Sequence, residues 1–413
     1  MQCVHDNAMQ RQTAMTRGRV LLACCLLAGA AAAQDTAPAG WLTPAAGPTT
    51  PVAPGNLTSS VAERDGRIFF FPLFRVARFA NTQCTATNNL NGTCFTRSEC
   101  SGYGGTASGT CASGLGVCCV ILKECGTTSR INCTYFSSPS YPTAYTDSGR
   151  CTIGIYKCNT NVCQLRIDFI DFTIAQPNSD GVCVTDFMVV TGSTSTVPVI
   201  CGDNTGEHIY VNFPTGSTPI EITISTSSTS TVARRWLLKV TQIECTDPWR
   251  APVGCLMYFK DISGTVKSFN YNTLAPTTTP FGTRQLANTN YGVCVRMADG
   301  YCSIQWSQNT GDAYSFTVTG DTSGLDTTVL GTVTAQLTGS NCTTDFIVIP
   351  NPFQGGLAVD SDRFCGNGLA DTITFSKPFV LTVVTNADET TGTVPDNDNR
   401  GFCLTFTQLP CMA

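Results

Sequence analysis

The chain has 413 residues, 24 of them cysteine, and 29 Asp+Glu against 24 Lys+Arg leave a formal net charge of −5. A single hydrophobic core rarely serves that length, so two or three domains are expected. Charged residues make up 13% and hydrophobic ones 42%, which excludes long disordered or coiled-coil organisation, and the acid balance offers no general attraction to nucleic acid or anionic lipid.

Residues 20–33 read VLLACCLLAGAAAA behind Arg11, Arg17 and Arg19, and Ala31-Ala32-Ala33 supplies a small-residue cleavage site. This is a signal-peptide pattern over residues 1–33, and its apolar run is shorter than the ~20 residues needed to span a bilayer. No later stretch is longer, so a secreted, extracellular protein without a membrane span is expected. Cleavage after Ala33 leaves 21 cysteines, which in an oxidising compartment implies about ten disulfides and one thiol left over. Asn56, Asn91, Asn132 and Asn341 begin glycosylation sequons, the last two directly beside a cysteine. Residues 34–80 read as a spacer, rich in Ala, Pro and Thr through residue 62. Arg64 and Arg67 within it read as a solvated turn, with processing after Arg67 as the alternative.

From Cys84 to Cys119 six cysteines fall in a short, Gly-rich stretch with almost no apolar periodicity, ending in Cys118-Cys119. Such a segment (module boundaries 81–120) cannot bury enough surface alone, so crosslinks must supply the constraint. A zinc site competes, but the stretch holds no histidine and the compartment oxidises thiols. The six-cysteine spacing with its terminal doublet resembles the clip domain of arthropod extracellular proteins. That resemblance implies Cys84–Cys118, Cys94–Cys111 and Cys100–Cys119. Clip domains often precede a chymotrypsin-like protease, yet no Gly-Asp-Ser-Gly-Gly occurs here. The two histidines are His5, which leaves with the signal peptide, and His208, which reads as a polar strand position.

After Cys119 short alternating runs take over, such as Leu165-Arg166-Ile167-Asp168-Phe169 and Ile220-Glu221-Ile222-Thr223-Ile224, separated by Gly, Pro, Asn and Ser clusters. This predicts all-β antiparallel sandwiches. An internal repeat divides them. Cys183-Val184-Thr185-Asp186-Phe187 matches Cys342-Thr343-Thr344-Asp345-Phe346, Cys201-Gly202 matches Cys365-Gly366, and Thr241-Gln242-Ile243-Glu244-Cys245 matches Thr407-Gln408-Leu409-Pro410-Cys411. Two domains are expected, over 124–245 and 255–411, joined by a short stiff linker containing Asp247-Pro248-Trp249-Arg250-Ala251-Pro252. Cys158 and Cys163 flank a loop that a disulfide could staple across a hairpin.

Glu124-Cys125-Gly126, Ser138-Pro139-Ser140-Tyr141-Pro142, Gly149-Arg150-Cys151 and the Cys183–Cys201 segment enclosing Asp186 resemble the CUB domain; the second copy is a more divergent relative. The resemblance implies jelly-roll β-sandwiches with Cys125–Cys151, Cys183–Cys201, Cys342–Cys365 and a further Cys255–Cys294, leaving Cys133, Cys245, Cys302, Cys403 and Cys411 unassigned. The module order resembles uncharacterised secreted arthropod CUB-domain-containing proteins. Many CUB domains hold Ca²⁺ through one Glu and two Asp at one end of the sandwich. Carried over by position, Asp186 and Asp345 fill one place and Asp388 another in the second copy, while Gln176, Ser227 and Gln336 stand at or near the rest. Each missing carboxylate weakens a calcium site, so weak, degenerate Ca²⁺ binding at most is expected, and no other cofactor. Arg234-Arg235-Trp236, which matches Arg400-Gly401-Phe402, reads as a structural edge of the last strand, with contact to a sulfated or acidic partner as the alternative.

Asp168 and Asp171 are the one carboxylate pair that could suggest hydrolysis, but three apart on a flat strand they should point to opposite faces. The reading that remains is a secreted, non-catalytic adaptor recognising an extracellular protein or glycan. The alternative is a matrix or cuticle component in which the odd cysteine links chains into a disulfide-bonded oligomer.

Overall fold

The computed structural model describes residues 79–272, 284–318, 328–387, 390–391, 394–395 and 399–411. Asn56, Arg67, Asp388, the signal segment and nearly all of the spacer lie outside them.

The N-terminal module contains β1 (Gln83–Thr85), β2 (Asn91–Phe95), the short helix α1 (Arg97–Gly102), β3 (Thr106–Cys111) and β4 (Gly116–Lys123). Thr96 starts α1 through a capping box: its hydroxyl accepts the Glu99 N–H, and the Glu99 carboxylate accepts the Thr96 N–H at 2.9 Å. The apolar cluster here is small, built on Phe95, Val117 and Ile121. Cys84–Cys118, Cys94–Cys111 and Cys100–Cys119 compensate, with sequence separations of 34, 17 and 19 residues. Loop closure on that scale is worth about 3 kcal/mol per bridge.

The first sandwich follows as β5 (Thr127–Ser129), β6 (Thr134–Ser137), β7 (Gly149–Ile155), β8 (Val162–Thr173), β9 (Phe187–Thr191), β10 (His208–Asn212), β11 (Ile220–Thr226) and β12 (Arg235–Glu244). One of its sheets has the order β5-β7-β11-β9. The other does not stop at the module boundary: β4 pairs in parallel with β6, giving the continuous order β1-β2-β4-β6-β12-β8-β10 with β3 alongside β4. Ala86 and Val120 accordingly share a buried cluster with Tyr135 and Leu237. The period of two in β8 is visible in burial, with Leu165, Ile167 and Phe169 fully buried and Arg166 and Asp168 facing outward. These apolar faces close on Trp236, Leu238, Ile153, Ile222 and Ile224.

The second sandwich runs through β13 (Cys255–Phe259), β14 (Ser263–Lys267), β15 (Asn290–Val295), β16 (Tyr301–Gln308), β17 (Phe316–Thr317), β18 (Gln336–Thr338), β19 (Phe346–Val348), β20 (Pro352–Gln354), β21 (Leu357–Ala358), β22 (Arg363–Gly366), β23 (Thr372–Thr374), β24 (Phe379–Val384), β25 (Thr390–Thr391), β26 (Val394–Pro395) and β27 (Gly401–Pro410). Its facing sheets have the orders β13-β15-β24-β19-β22-β18 and β14-β27-β16-β23-β20-β21.

The duplication extends to the crosslinks. Cys125–Cys151, Cys183–Cys201 and Cys163–Cys245 in the first copy correspond to Cys255–Cys294, Cys342–Cys365 and Cys302–Cys411 in the second. The hairpin staple expected between Cys158 and Cys163 does not form. Cys163 sits at the start of β8, where antiparallel pairing brings it to the end of β12 and so to Cys245; Cys158 is disulfide-bonded as well. Among the described residues two thiols remain free rather than one, Cys133 and Cys403. Gln242 and Gln408 are a matched pair of buried ties. Gln242 accepts the Cys158 N–H and donates to the Tyr156 carbonyl, while Gln408 accepts the Ala298 N–H and donates to the Asp261 and Arg296 carbonyls.

The segment between the sandwiches is clamped. Gln164 of β8 accepts the Ala251 N–H at 2.9 Å and donates to the Ala251 carbonyl at 3.1 Å. Asn270 reaches back into the first sandwich, its N–H on Asn204 Oδ1 and its Oδ1 accepting the Asp203 N–H. Gly202 at φ 81° leaves that side chain its room; a Cβ there would collide with Asn270.

Candidate functional site

Loops gather at one end of the first sandwich around Asp186, which lies inside the Cys183–Cys201 loop just before β9. Its carboxylate is fully buried. Oδ2 accepts the Ala175 N–H and Oδ1 the Ser227 N–H, both at 2.9 Å. The three chain positions singled out for a metal, near 175, 186 and 227, do therefore converge. What occupies the centre is Arg234. Its Nε donates to Asp186 Oδ2 at 2.7 Å and Nη2 to Oδ1 at 3.0 Å, a bidentate pair with neither side chain exposed. Nη1 donates to the carbonyls of Thr146 and Asp147, and Nη2 also to that of Ser227.

A guanidinium ringed by one carboxylate and several carbonyls is the electrostatic counterpart of a coordinated cation. The residues present do not fit Ca²⁺ here, because the single carboxylate is already neutralised and the carbonyls are engaged. Asp186 thus does more than cap a local turn: through Arg234 it ties together the loops at 146–147, 175, 186 and 227–230. Sequence reasoning placed Arg234 at a strand edge and missed this role. The signal was available in the charge count, since a basic residue stood beside a site that had lost two of its three acids.

The second copy solves the same position differently. Asp345 is buried, accepting the Asn386 N–H at 2.7 Å on Oδ1 and Gln285 Nε2 at 2.9 Å on Oδ2. Arg400, the match of Arg234, lies over the Tyr314 ring with its guanidinium carbon 3.8 Å from the centroid. Gln336 exchanges hydrogen bonds with Gln354 rather than presenting a carboxylate. Among the described residues no group of three His, Cys, Asp or Glu could hold a metal ion; Asp388 lies outside them.

Other residues singled out from sequence fall elsewhere. Asp168 and Asp171 were expected on opposite faces. A bulge at Ile170 inserts one residue against the Leu237/Leu238 step of β12 and resets the alternation, so both carboxylates face outward. Each is taken by an arginine, Asp168 by Arg166 at 2.6 Å and Asp171 by Arg235. His208 is more than a polar strand position: it is 6% exposed and lies at the junction, its Nε2 3.0 Å from the Tyr258 carbonyl of β13 and its ring against Phe259. Burial, with Arg166 nearby, holds it down at about 4. Of the sequons, Asn341 is exposed and Asn91 half-buried. Asn132 is buried, with Oδ1 accepting the Gln242 and Cys133 N–H groups, so a glycan there does not fit the folded chain.

At the loop end the surface around Arg234 carries apolar side chains: Val184 is 58% exposed and Val232 36%. They sit on two of the loops that Arg234 holds in place.

Comparison with known families gives two matches. Residues 125–237 match the CUB domain and residues 252–409 the animal CUB domain. No curated protein matches the chain. Similar solved structures include the CUB1-EGF-CUB2 domains of rat MASP-1 (13% identity, TM-score 0.24, covering 68% of this chain and 99% of that one). The CUB1-EGF-CUB2 domain of human MASP-1/3 is 14% identical with a TM-score of 0.22, covering 67% and 98%. The full extracellular region of zebrafish Gpr126/Adgrg6 is 9% identical with a TM-score of 0.24, covering 71% of this chain and 37% of that one.

Proposed function

Because the chain carries two CUB domains in tandem, we propose that it is a secreted, non-catalytic adaptor that recognises an extracellular protein with the loop end of its first sandwich, the clip-like N-terminal module engaging a second partner. One observation carries this reading: Arg234 fixes the loops at one end of the sandwich from inside, and those loops present Val184 and Val232 to solvent. Preformed apolar contacts on rigid loops bind without an ordering cost. CUB domains are commonly extracellular protein-interaction modules, and the many disulfides suit an oxidising compartment. Among the described residues no helix is long and apolar enough to cross a membrane. The matrix alternative gains nothing from the two described thiols, since Cys403 is 4% exposed and Cys133 is half-buried.

The test immobilises the full chain, exposes it to extracellular fluid, and compares captured proteins with those on a Val184→Asp/Val232→Asp variant. A partner held by the wild type and lost by the variant supports the reading. Identical capture by both places recognition elsewhere and overturns it.

A further inference from the structure

A cleft lies where the N-terminal module, the first sandwich and the inter-sandwich segment meet. Pro248 cannot continue the ladder of β12, and Asp247 Oδ1 accepts the Trp249 N–H at 2.7 Å, an Asx turn that leaves the indole 45% exposed. Trp249 borders a cleft of about 360 Å³, within the size range of small-ligand sites, roughly 300–1,000 Å³. Cations converge on it. Lys260 Nζ lies 5.2 Å from the Trp249 ring centroid and the Arg296 guanidinium 4.5 Å. Arg166 enters from β8, oriented by Asp168 and by the Tyr210 hydroxyl, which accepts from Nη1 at 2.9 Å.

Arg166, Lys260 and nearby Arg296 stand against Asp168 and Asp247, a slight positive excess in a chain of net charge −5. The Lys260 ammonium registers it: burial and the positive Arg166 and Arg296 hold it below the ordinary lysine value, although Asp247 and Asp168 pull the other way. A bound anion would relieve that repulsion. The remaining walls favour a particular kind of anion. Asn81, Gln83, Thr93 and Thr241 contribute amides and hydroxyls, Asp247 a carboxylate, and Trp249 an indole that is 45% exposed, whereas Ile243 is the only aliphatic side chain among the described lining residues. Rings with hydrogen-bonding edges suit a sugar; forked and point cations suit its sulfate groups.

We propose that this cleft binds a sulfated saccharide, with Arg166 and Lys260 pairing its sulfates and Trp249 carrying a sugar ring. The inference rests on reading the chain as an extracellular binding protein but concerns a site separate from the valine-bearing loops.

The experiment titrates a heparin tetrasaccharide into the full-length protein carrying Trp41→Phe at low salt, following tryptophan fluorescence, since of the three remaining tryptophans Trp236 and Trp306 are buried and Trp249 is not. Saturable binding is expected, weakened at least tenfold in Lys260→Gln/Arg296→Gln, with Trp249→Phe removing most of the fluorescence response. Lys260 and Arg296 are half-buried and Trp249 is exposed, and unchanged circular dichroism verifies the fold. The desulfated tetrasaccharide should not bind. Undiminished affinity in the double variant, equal binding of the desulfated sugar, or tighter binding of an octaglutamate peptide would each overturn the proposal. Because these variants leave Val184 and Val232 untouched, absence of tetrasaccharide binding by a wild type that still captures its protein partner would remove this inference and leave the adaptor reading standing.

Discussion

Replacing Arg234 by alanine asks whether the first sandwich carries its own cation. The change removes a guanidinium that is fully buried against Asp186 and takes a donor from the carbonyls of Thr146, Asp147 and Ser227, of which Asp147 keeps the Thr226 hydroxyl. Breaking a buried pair from one side costs about 3–5 kcal/mol, because the surviving charge stays buried. The Ala175 and Ser227 N–H groups remain on Asp186 and temper that penalty, which points to the lower end, about 3 kcal/mol. The vacated space is then ringed by hard oxygen donors, and Ca²⁺ acquires a place it lacks in the wild type. One carboxylate makes a weak site, of the order of 10⁻⁴–10⁻³ M. At ten times its dissociation constant such an ion returns about 1.4 kcal/mol. Urea unfolding in EDTA and in 10 mM CaCl₂ measures both effects: one midpoint for the wild type in either solution, a lower midpoint for the variant, and partial recovery of the variant by calcium. Adding Asp186→Asn should abolish that recovery and cost less than the two single changes summed. A wild type destabilised by EDTA, or a variant within about 0.5 kcal/mol of it, would refute the reasoning.

Acid should act on the junction through two opposed groups. His208, held at about 4 against an ordinary 6.5, stays neutral in the folded chain while the unfolded chain takes up a proton, so its contribution falls as pH drops through that window, by up to about 3 kcal/mol. Glu207, raised by burial to about 7 from 4.5, keeps in the folded chain a proton that the unfolded chain has released, so its contribution grows over the same descent. His208→Gln should therefore gain stability between pH 7 and 5 relative to wild type, and Glu207→Gln should lose it; parallel urea midpoints for all three would contradict both assignments. Replacing Cys163 and Cys245 by alanine opens a crosslink spanning 82 residues and should lower stability by about 4–5 kcal/mol in the loop-entropy account, read by thermal unfolding under non-reducing conditions. Peptide mapping of the protein expressed through a eukaryotic secretory pathway should find glycan on exposed Asn341 and none on buried Asn132.

Much of the fold was written in short-range pattern. Alternation in Leu165–Phe169 and Ile220–Ile224 places those runs on sandwich faces, and the matched landmarks at Asp186 and Asp345 find buried, loop-joining positions in both copies. Local spacing failed where long-range pairing decides. Cys158 and Cys163 are neighbours along the chain, but the partner of Cys163 is set by the register of β8 on β12, many residues away. The bulge at Ile170 has no side-chain signature, and it alone turns Asp168 and Asp171 to one face. Arg234 and His208 were legible as residues and illegible as contacts, since the Thr146 carbonyl and the Tyr258 carbonyl that hold them belong to other loops and to another sandwich.

The parallel pairing of β4 with β6 bears on how this molecule answers a protease. The three bridges of the N-terminal module close within it, and the backbone passes onward through Glu124. A nick at that residue would sever the backbone yet leave Ile121–Lys123 hydrogen-bonded to Thr134–Phe136, with Ala86 and Val120 still packed on Tyr135 and Leu237. Under reducing denaturation the clipped product would migrate as two fragments, and in native solution it would travel as one particle.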